Sequence, residues 1–300
     1  AKNLRFDNSI QLTISHKRYV VFAQEGLKKN EHRTSNIEHR MGKDEETEIF
    51  GLGGYMNELR VDDNAEAKFK PFLDVVLNNY KDKIDSIHII GSALTEDFNP
   101  KTSDINSILV LKSFDLKFLE DFAPLGKKFG KKQISSPLIM TSEYVSSSLD
   151  VFPIEFLTIN ILHKTIFGED IFNDLKIKKS DLRHQCEREL KVRLIGLRQG
   201  YLSSSGEGKI LTDMFIDSFS GYIPLFKGII LLLGKEPPVT SHDAIAVLEE
   251  VSGVNTSVFK TVLKQKKQKT KLMMDQLNTI FQDYYATIEK LGDITDDITD

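Results

Sequence analysis

The chain has 300 residues, of which 40% are hydrophobic and 28% are charged, so it can form a buried core and is not globally disordered. Its net charge of -4 gives no general attraction to nucleic acid or to anionic membranes, and we expect neither as a partner. The single cysteine, Cys186, excludes a disulfide framework and a multi-cysteine metal site. These features favour a cytoplasmic protein, and the length favours two domains.

The first 60 residues show no feature that indicates a function. Between residues 8 and 23, apolar Ile10, Leu12 and Ile14 alternate with polar residues, which predicts two short strands in a hairpin. Residues 25–48 are rich in charges and poor in large apolar side chains, as is typical of a solvent-exposed connection. We therefore place a boundary near residue 60.

Residues 61–177 are predicted to form one mixed α/β domain. Phe69, Phe72, Val76 and Tyr80 share one face of a helix over residues 65–83. Apolar runs bounded by polar loops predict the strands, and a second amphipathic pattern predicts one more helix. The further elements are strands at 86–90, 105–111, 138–140 and 153–161, and a helix at 115–128.

Residues 178–300 show helical periodicity almost throughout, which predicts a helical bundle domain. The apolar stretch 222–234 contains Pro224 and Lys227 and is too short to cross a bilayer, so we interpret it as a buried helix. The acidic end from Gly292 is predicted to be a frayed tail. The predicted helices span residues 182–202, 210–221, 223–233, 242–251 and 261–291.

The most informative segment follows the strand at 86–90. It consists of Gly91 and Ser92, a polar loop of eleven residues that ends with Ser103, and then Asp104-Ile105-Asn106 leading into an apolar strand. A Gly-Ser pair alone is most often an ordinary turn. The whole segment, however, resembles the signature of the DNA polymerase beta-type nucleotidyltransferase superfamily. The two-part plan is similar to that of minimal nucleotidyltransferases and small bacterial adenylyltransferases.

The spacing of these residues fits the chemistry that the resemblance implies. Residues two apart on a strand project to the same face, so Asp104 and Asn106 can hold a divalent ion together. A Gly-Ser turn lets backbone amides and a hydroxyl approach a nucleoside triphosphate. The resemblance therefore implies that Gly91, Ser92 and Ser103 bind the nucleotide and that Mg²⁺ is held at Asp104 and Asn106.

A third carboxylate on a neighbouring strand normally completes such a site, as a metal ligand or as the base. We expect it to be Glu155, because an acid within the predicted apolar strand 153–161 is costly to bury without a partner. Asp150 is the second choice. The alternative for Glu155 is an ordinary strand acid that faces solvent.

Three further features of the sequence bear on function. In similar enzymes a basic residue of the helical domain reaches the triphosphate, and here Arg188 and Lys191 are the candidates. The lysine-rich run 264–271 contains no aromatic residue, which favours a solvated helix face over nucleic-acid binding. His88 lies in an apolar strand and is interpreted as a hydrogen-bonded structural histidine.

One departure from the superfamily pattern divides the functional hypotheses. Asn106 stands where a carboxylate is usual, so metal binding loses a charge and catalysis should slow. The leading hypothesis is an enzyme that moves a nucleoside monophosphate from a triphosphate to an unknown acceptor. The alternatives are an inactive nucleotide-binding or regulatory protein of the same fold, and an interaction module that binds a partner or forms a homo-oligomer.

Overall fold

The computed structural model describes residues 48–49, 59–219, 221–268, 270 and 272–299. The predicted hairpin at 8–23 lies outside the described residues, as does the charged connection up to residue 47. Glu48–Ile49 (β1) pairs antiparallel with Ile177–Lys178 (β6) in a small two-stranded sheet. The domain boundaries near residues 60 and 177 remain predictions.

A four-stranded mixed sheet forms the first part of the fold, in the order β4-β3-β2-β5. The central pair β2–β3 and the pair β2–β5 are antiparallel, whereas β3 and β4 run parallel. The strands predicted at 86–90, 105–111 and 138–140 are thereby confirmed. The strands are β2 (Ile84–Ile90), β3 (Asn106–Leu111), β4 (Leu138–Thr141) and β5 (His163–Gly168).

Two helices cover one face of this sheet, close to where the sequence predicts them. α1 (Asp63–Tyr80) begins where the Asp62 side chain accepts hydrogen bonds from two backbone amides, a capping arrangement that satisfies otherwise unpaired donors. α2 (Leu116–Gly130) begins in the same way at Asp115. Their apolar sides meet the sheet in a cluster that contains Phe72.

The predicted strand at 153–161 is wrong, because Pro153–Ile161 forms a helix, α4. Seven of its nine residues are buried, and a short, uniformly apolar run does not distinguish a buried strand from a buried helix. Proline at the first helical position favours the helix, since its missing N–H would be unpaired there anyway. The strand that completes the sheet is β5, which follows immediately. A short helix that the sequence did not predict, α3 (Ser142–Ser147), follows β4.

The remainder of the chain is helical, so the predicted mixed α/β domain followed by a helical region is confirmed. No single described helix is both long and apolar enough to cross a membrane; α6 and α7 pass that test only as a pair bent by 48°. The helices are α5 (Lys179–Ser203), α6 (Gly208–Phe219), α7 (Tyr222–Leu232), α8 (Ser241–Ser252), α9 (Ser257–Gln268) and α10 (Met274–Asp296).

Two predictions for the C-terminal end are wrong. The single helix expected over 261–291 is two helices, since α9 ends at Gln268 and α10 begins at Met274. The expected frayed tail is helical to Asp296. The reason is tertiary packing: Leu291 and Thr295 are fully buried, and the Thr295 hydroxyl donates to the Leu291 carbonyl.

Candidate functional site

The turn after β2 has the geometry of an open, glycine-dependent loop. Gly91 has a φ of +79°, a left-handed conformation that L side chains rarely adopt. No atom lies within 4 Å of the position that a β-carbon would occupy, so open space adjoins the turn. The Gly91 amide donates to the Leu162 carbonyl at 3.0 Å. This amide is therefore committed to the fold, and a phosphate at the turn would use the following donors.

The loop between the turn and β3 is held by its own polar groups. The Ser103 hydroxyl accepts a hydrogen bond from the Asn99 amide at 3.0 Å, and the Ser103 amide donates to the Asn99 carbonyl at 2.8 Å. Lys68 of α1 donates to the Pro100 carbonyl and to the Gln133 side chain. Ser103 thus shapes this loop, and its predicted contact with nucleotide remains a prediction.

Asp104 and Asn106 flank a residue whose burial sets their direction. Ile105 is fully buried in the cluster formed with α1 and α2, whereas Ile108 belongs to the core on the opposite face of the sheet. Because side chains alternate along an extended chain, Asp104 and Asn106 project to the face that carries Ile108. Both side chains are partly exposed.

The sheet register brings this pair to the glycine turn. Asn106 is paired with Ile90, the last residue of β2, in the antiparallel ladder. The next residue along β2 is Gly91, so the amide side chain and the turn lie at the same end of two adjacent strands. The structure therefore places together the two halves of the motif that the sequence separates by eleven residues.

Glu155 lies in the first turn of α4 and not on a strand. Its carboxylate accepts a hydrogen bond from the Gln185 side chain of α5 at 2.7 Å. The same Gln185 accepts from the Ile154 amide at 2.7 Å, which satisfies a donor at the start of α4. Glu155 therefore helps to join α4 to α5, and its predicted role as ligand or base remains a prediction.

The two basic residues chosen from the sequence lie on the outside of α5. Arg188 and Lys191 have side chains that are 71% and 62% exposed. Arg188 is 3.5 Å from Glu189, and Lys191 pairs with Glu187. Exposed pairs of this kind contribute little to stability. Their contact with a triphosphate remains a prediction.

Lys227 is a buried basic residue that was not among the predicted nucleotide-binding residues. It lies in α7 and is buried, and its ammonium donates to the Val239 carbonyl at 2.8 Å. Burial lowers the pKa of Lys227 to about 8, while the charge of Asp97 acts to raise it. A buried ammonium is costly, and the described groups that compensate for it are the Val239 carbonyl and the charge of Asp97.

Asp97 connects this lysine to the motif loop. Asp97 lies six residues after Gly91. Its carboxylate accepts hydrogen bonds from both the amide and the hydroxyl of Ser241, at 3.1 and 2.8 Å. Ser241 begins α8, so the loop is attached to the helical region beside Lys227. The only sequence signal for Lys227 was a charged residue inside an otherwise apolar helix.

Comparison with models of known protein families gave no match, and comparison with curated proteins gave none either. Among solved structures, the chain is similar to that of spectinomycin adenyltransferase AAD(9) from Enterococcus faecialis with ATP and spectinomycin. The two chains are 14% identical, the match covers 75% of this chain and 98% of the other, and the TM-score is 0.47. A likeness of this size transfers neither site residues nor activity.

Proposed function

We propose that this chain binds a nucleoside triphosphate with Mg²⁺ and transfers the nucleoside monophosphate to a hydroxyl of an acceptor molecule. The observation that carries this proposal is the register that sets Asn106 beside the left-handed Gly91 turn, with Asp104 directed to the same face. Open space adjoins the turn, as an approaching polyphosphate requires. The acceptor is unknown.

The donor set at Asp104 and Asn106 fits Mg²⁺. One carboxylate and one amide oxygen are hard ligands, and Mg²⁺ commonly takes one or two protein ligands and fills its shell with water and phosphate oxygens. When bound, the ion neutralises charge that develops on the phosphates. The role of Asp104 and Asn106 is to hold the triphosphate and its ion at the open turn.

Lys227 supplies the basic group of the helical region in this proposal. As the acceptor oxygen bonds to the α-phosphorus, the bond to the leaving oxygen breaks and pyrophosphate departs with its negative charge. A positive charge fixed near that position lowers the barrier, because it needs no reorganisation during the reaction. Asp97 keeps the motif loop attached to α8 beside this lysine.

Glu155 is the proposed acceptor of the proton from the attacking hydroxyl. The variant Glu155→Gln separates this role from its structural one, because a glutamine oxygen can still accept the hydrogen bond from Gln185. We expect an unchanged melting temperature and a large loss of transfer. If a folded Glu155→Gln protein keeps full nucleotidyl transfer activity, Glu155 is not the proton acceptor and Asp150 becomes the candidate.

The first test is calorimetric titration with each nucleoside triphosphate, with and without Mg²⁺. We expect binding that requires Mg²⁺ and is lost in Asp104→Ala. The matched control is Asp74→Ala, which removes an exposed aspartate on the outer side of α1 and should bind as the wild type does. Absence of binding to every triphosphate would refute the proposal and favour an interaction module.

A second candidate function is nucleotide binding without catalysis, which Asn106 favours because it removes one anionic ligand. The variant Asn106→Asp distinguishes the two. Restored carboxylate ligation should create activity, or raise it greatly, in an inactive site, but should change a working site only modestly. The measurement is pyrophosphate release with a panel of hydroxyl-bearing acceptors.

A further inference from the structure

Two histidines and an aspartate converge at the β5 side of the sheet, apart from the motif residues. His88 lies on β2, His163 begins β5, and Asp170 follows that strand. One possible ligand atom from each residue lies within 4.8 Å of the others. Both imidazoles are buried, whereas the Asp170 side chain is 36% exposed and opens the group to solvent.

The hydrogen bonds of His163 leave its second ring nitrogen facing a carboxylate. Nδ1 is 2.8 Å from the Ile159 carbonyl, which can only accept, so Nδ1 carries a proton. Nε2 is 2.8 Å from Asp170 Oδ1. This distance is that of a hydrogen bond, so a bound metal would replace the proton shared by the pair and move the two atoms slightly apart. The contact of Nδ1 with a backbone carbonyl is typical of metal-ligating histidines.

Asp170 is fixed in place for this contact. Its Oδ1 accepts hydrogen bonds from the amides of Phe172 and Asn173, at 3.1 and 3.2 Å. The Phe172 ring packs edge-on against both imidazoles, with centroid distances of 4.8 Å to His88 and 5.5 Å to His163. The group is therefore held by packing and by a second layer of hydrogen bonds, as bound metals require.

Both ring nitrogens of His88 contact hydroxyl groups, and a metal bound at His88 would replace one of these contacts. Its Nε2 is 2.7 Å from the Ser86 hydroxyl, and its Nδ1 is 2.9 Å from the Thr165 hydroxyl. A hydroxyl can donate or accept, so either tautomer is satisfied.

We propose that His88, His163 and Asp170 form a zinc site that is separate from the Mg²⁺ site proposed at Asp104 and Asn106. Two imidazole nitrogens and one carboxylate suit zinc and related transition metals better than Mg²⁺. Ligand atoms about 2.1 Å from a tetrahedral zinc are roughly 3.4 Å apart, so on binding the His163–Asp170 separation of 2.8 Å would open and separations of up to 4.8 Å would close. Solvent at the Asp170 side supplies the fourth ligand.

The position of this site gives it a structural consequence. Leu162, the residue before His163, accepts the hydrogen bond from the Gly91 amide. A metal that joins β2 to β5 at His88 and His163 would therefore stabilise the end of β5 against which the glycine turn rests. The two proposed sites use different residues, so the two proposals can fail separately.

The test uses the full chain after chelator treatment, with Zn²⁺ by calorimetry and Co²⁺ by visible absorption. We expect one equivalent of Zn²⁺ to bind and four-coordinate Co²⁺ bands to develop. Asp170→Asn, which keeps the shape and an acceptor oxygen, and His163→Ala should each weaken Zn²⁺ binding at least tenfold. Loss of an outer partner alone already costs roughly tenfold to a hundredfold.

Two controls make the result specific. His242→Ala removes a histidine whose side chain is 75% exposed beside Asp243, and it should leave zinc binding unchanged. Asp104→Ala should also keep zinc binding, whatever it does to nucleotide binding. The proposal is overturned if the wild type shows no saturable Zn²⁺ binding, or if folded Asp170→Asn binds Zn²⁺ as tightly as the wild type.

Discussion

The two faces of the four-stranded sheet differ in chemistry. The face under α1 and α2 is closed by apolar side chains, with Phe72 in edge or tilted contact with three other phenylalanine rings. The opposite face combines an apolar core with buried Ser86, His88 and His163, and with Asn106 at its edge. Polar groups are costly to bury unless they are hydrogen-bonded, and Ser86, His88 and His163 all have hydrogen-bond partners. Both faces are packed by apolar side chains, and the candidate chemistry lies on the face that also carries buried polar groups.

The largest expected effect comes from opening the apolar face. Phe72→Ala should lower the free energy of unfolding by about 3–5 kcal/mol, because it leaves a cavity among well-packed rings. The measurement is chemical denaturation, with Leu116→Ala as the control, since Leu116 is 64% exposed. If Phe72→Ala loses nucleotide binding while it remains folded, the separation of the two faces is wrong.

The polar face should show a dependence on pH that the apolar face lacks. The pKa of His88 is about 4 in the folded protein and 6.5 in an ordinary setting. Between these values the unfolded chain binds the additional proton, so stability should fall as pH falls from 6.5 to 4, by up to about 3 kcal/mol.

The matched variant is His88→Gln, which should show a smaller loss over the same range, measured by denaturation in the presence of a chelator. Titration of Asp170 does not contribute to this change in stability between pH 6.5 and 4. Although burial acts to raise its pKa, the charge and hydrogen bond of His163 lower it below 3.8 overall. If wild type and His88→Gln lose the same stability as pH falls, the assignment of this pH dependence to His88 is wrong.

Lys227 tests whether the helical region contributes to the polar face. Lys227→Met should weaken triphosphate binding by about tenfold to a hundredfold at pH 7, as expected for loss of a charged hydrogen bond. Because the pKa of Lys227 is about 8, wild-type affinity should fall as pH rises from 7 to 9. The variant should show less change, and Lys117→Met serves as the exposed control.

The smallest expected effect concerns the turn itself. Gly91→Ala meets no steric clash, but it forces a side chain into a left-handed conformation, which should cost about 1–2 kcal/mol. Gly196→Ala is the matched control: it lies inside α5 with open space around it, and it should stabilise the protein by about 0.5–1 kcal/mol. Equal effects in thermal denaturation would show that the Gly91 conformation is not required.

The adjacency of the motif residues could be predicted from the sequence because their arrangement is local. Gly91 follows β2 and Asp104 precedes Asn106 at the start of β3, and antiparallel pairing of these strands brings the two ends together. Glu155 was predicted on a strand, since a uniformly apolar run of nine residues fits either a buried strand or a buried helix. Its partner Gln185 is 30 residues away, and no periodicity indicates that contact.

What the sequence determined by itself is the series of elements from α1 to β4 and the helical character of the C-terminal part, because each depends on residues close together in the chain. The tertiary structure decided which polar residues meet. Lys227 lies beside a loop more than a hundred residues earlier, and His88 joins His163 and Asp170 only because β5 pairs with β2. Burial and charge at such sites depend on packing between distant segments, which local patterns do not specify.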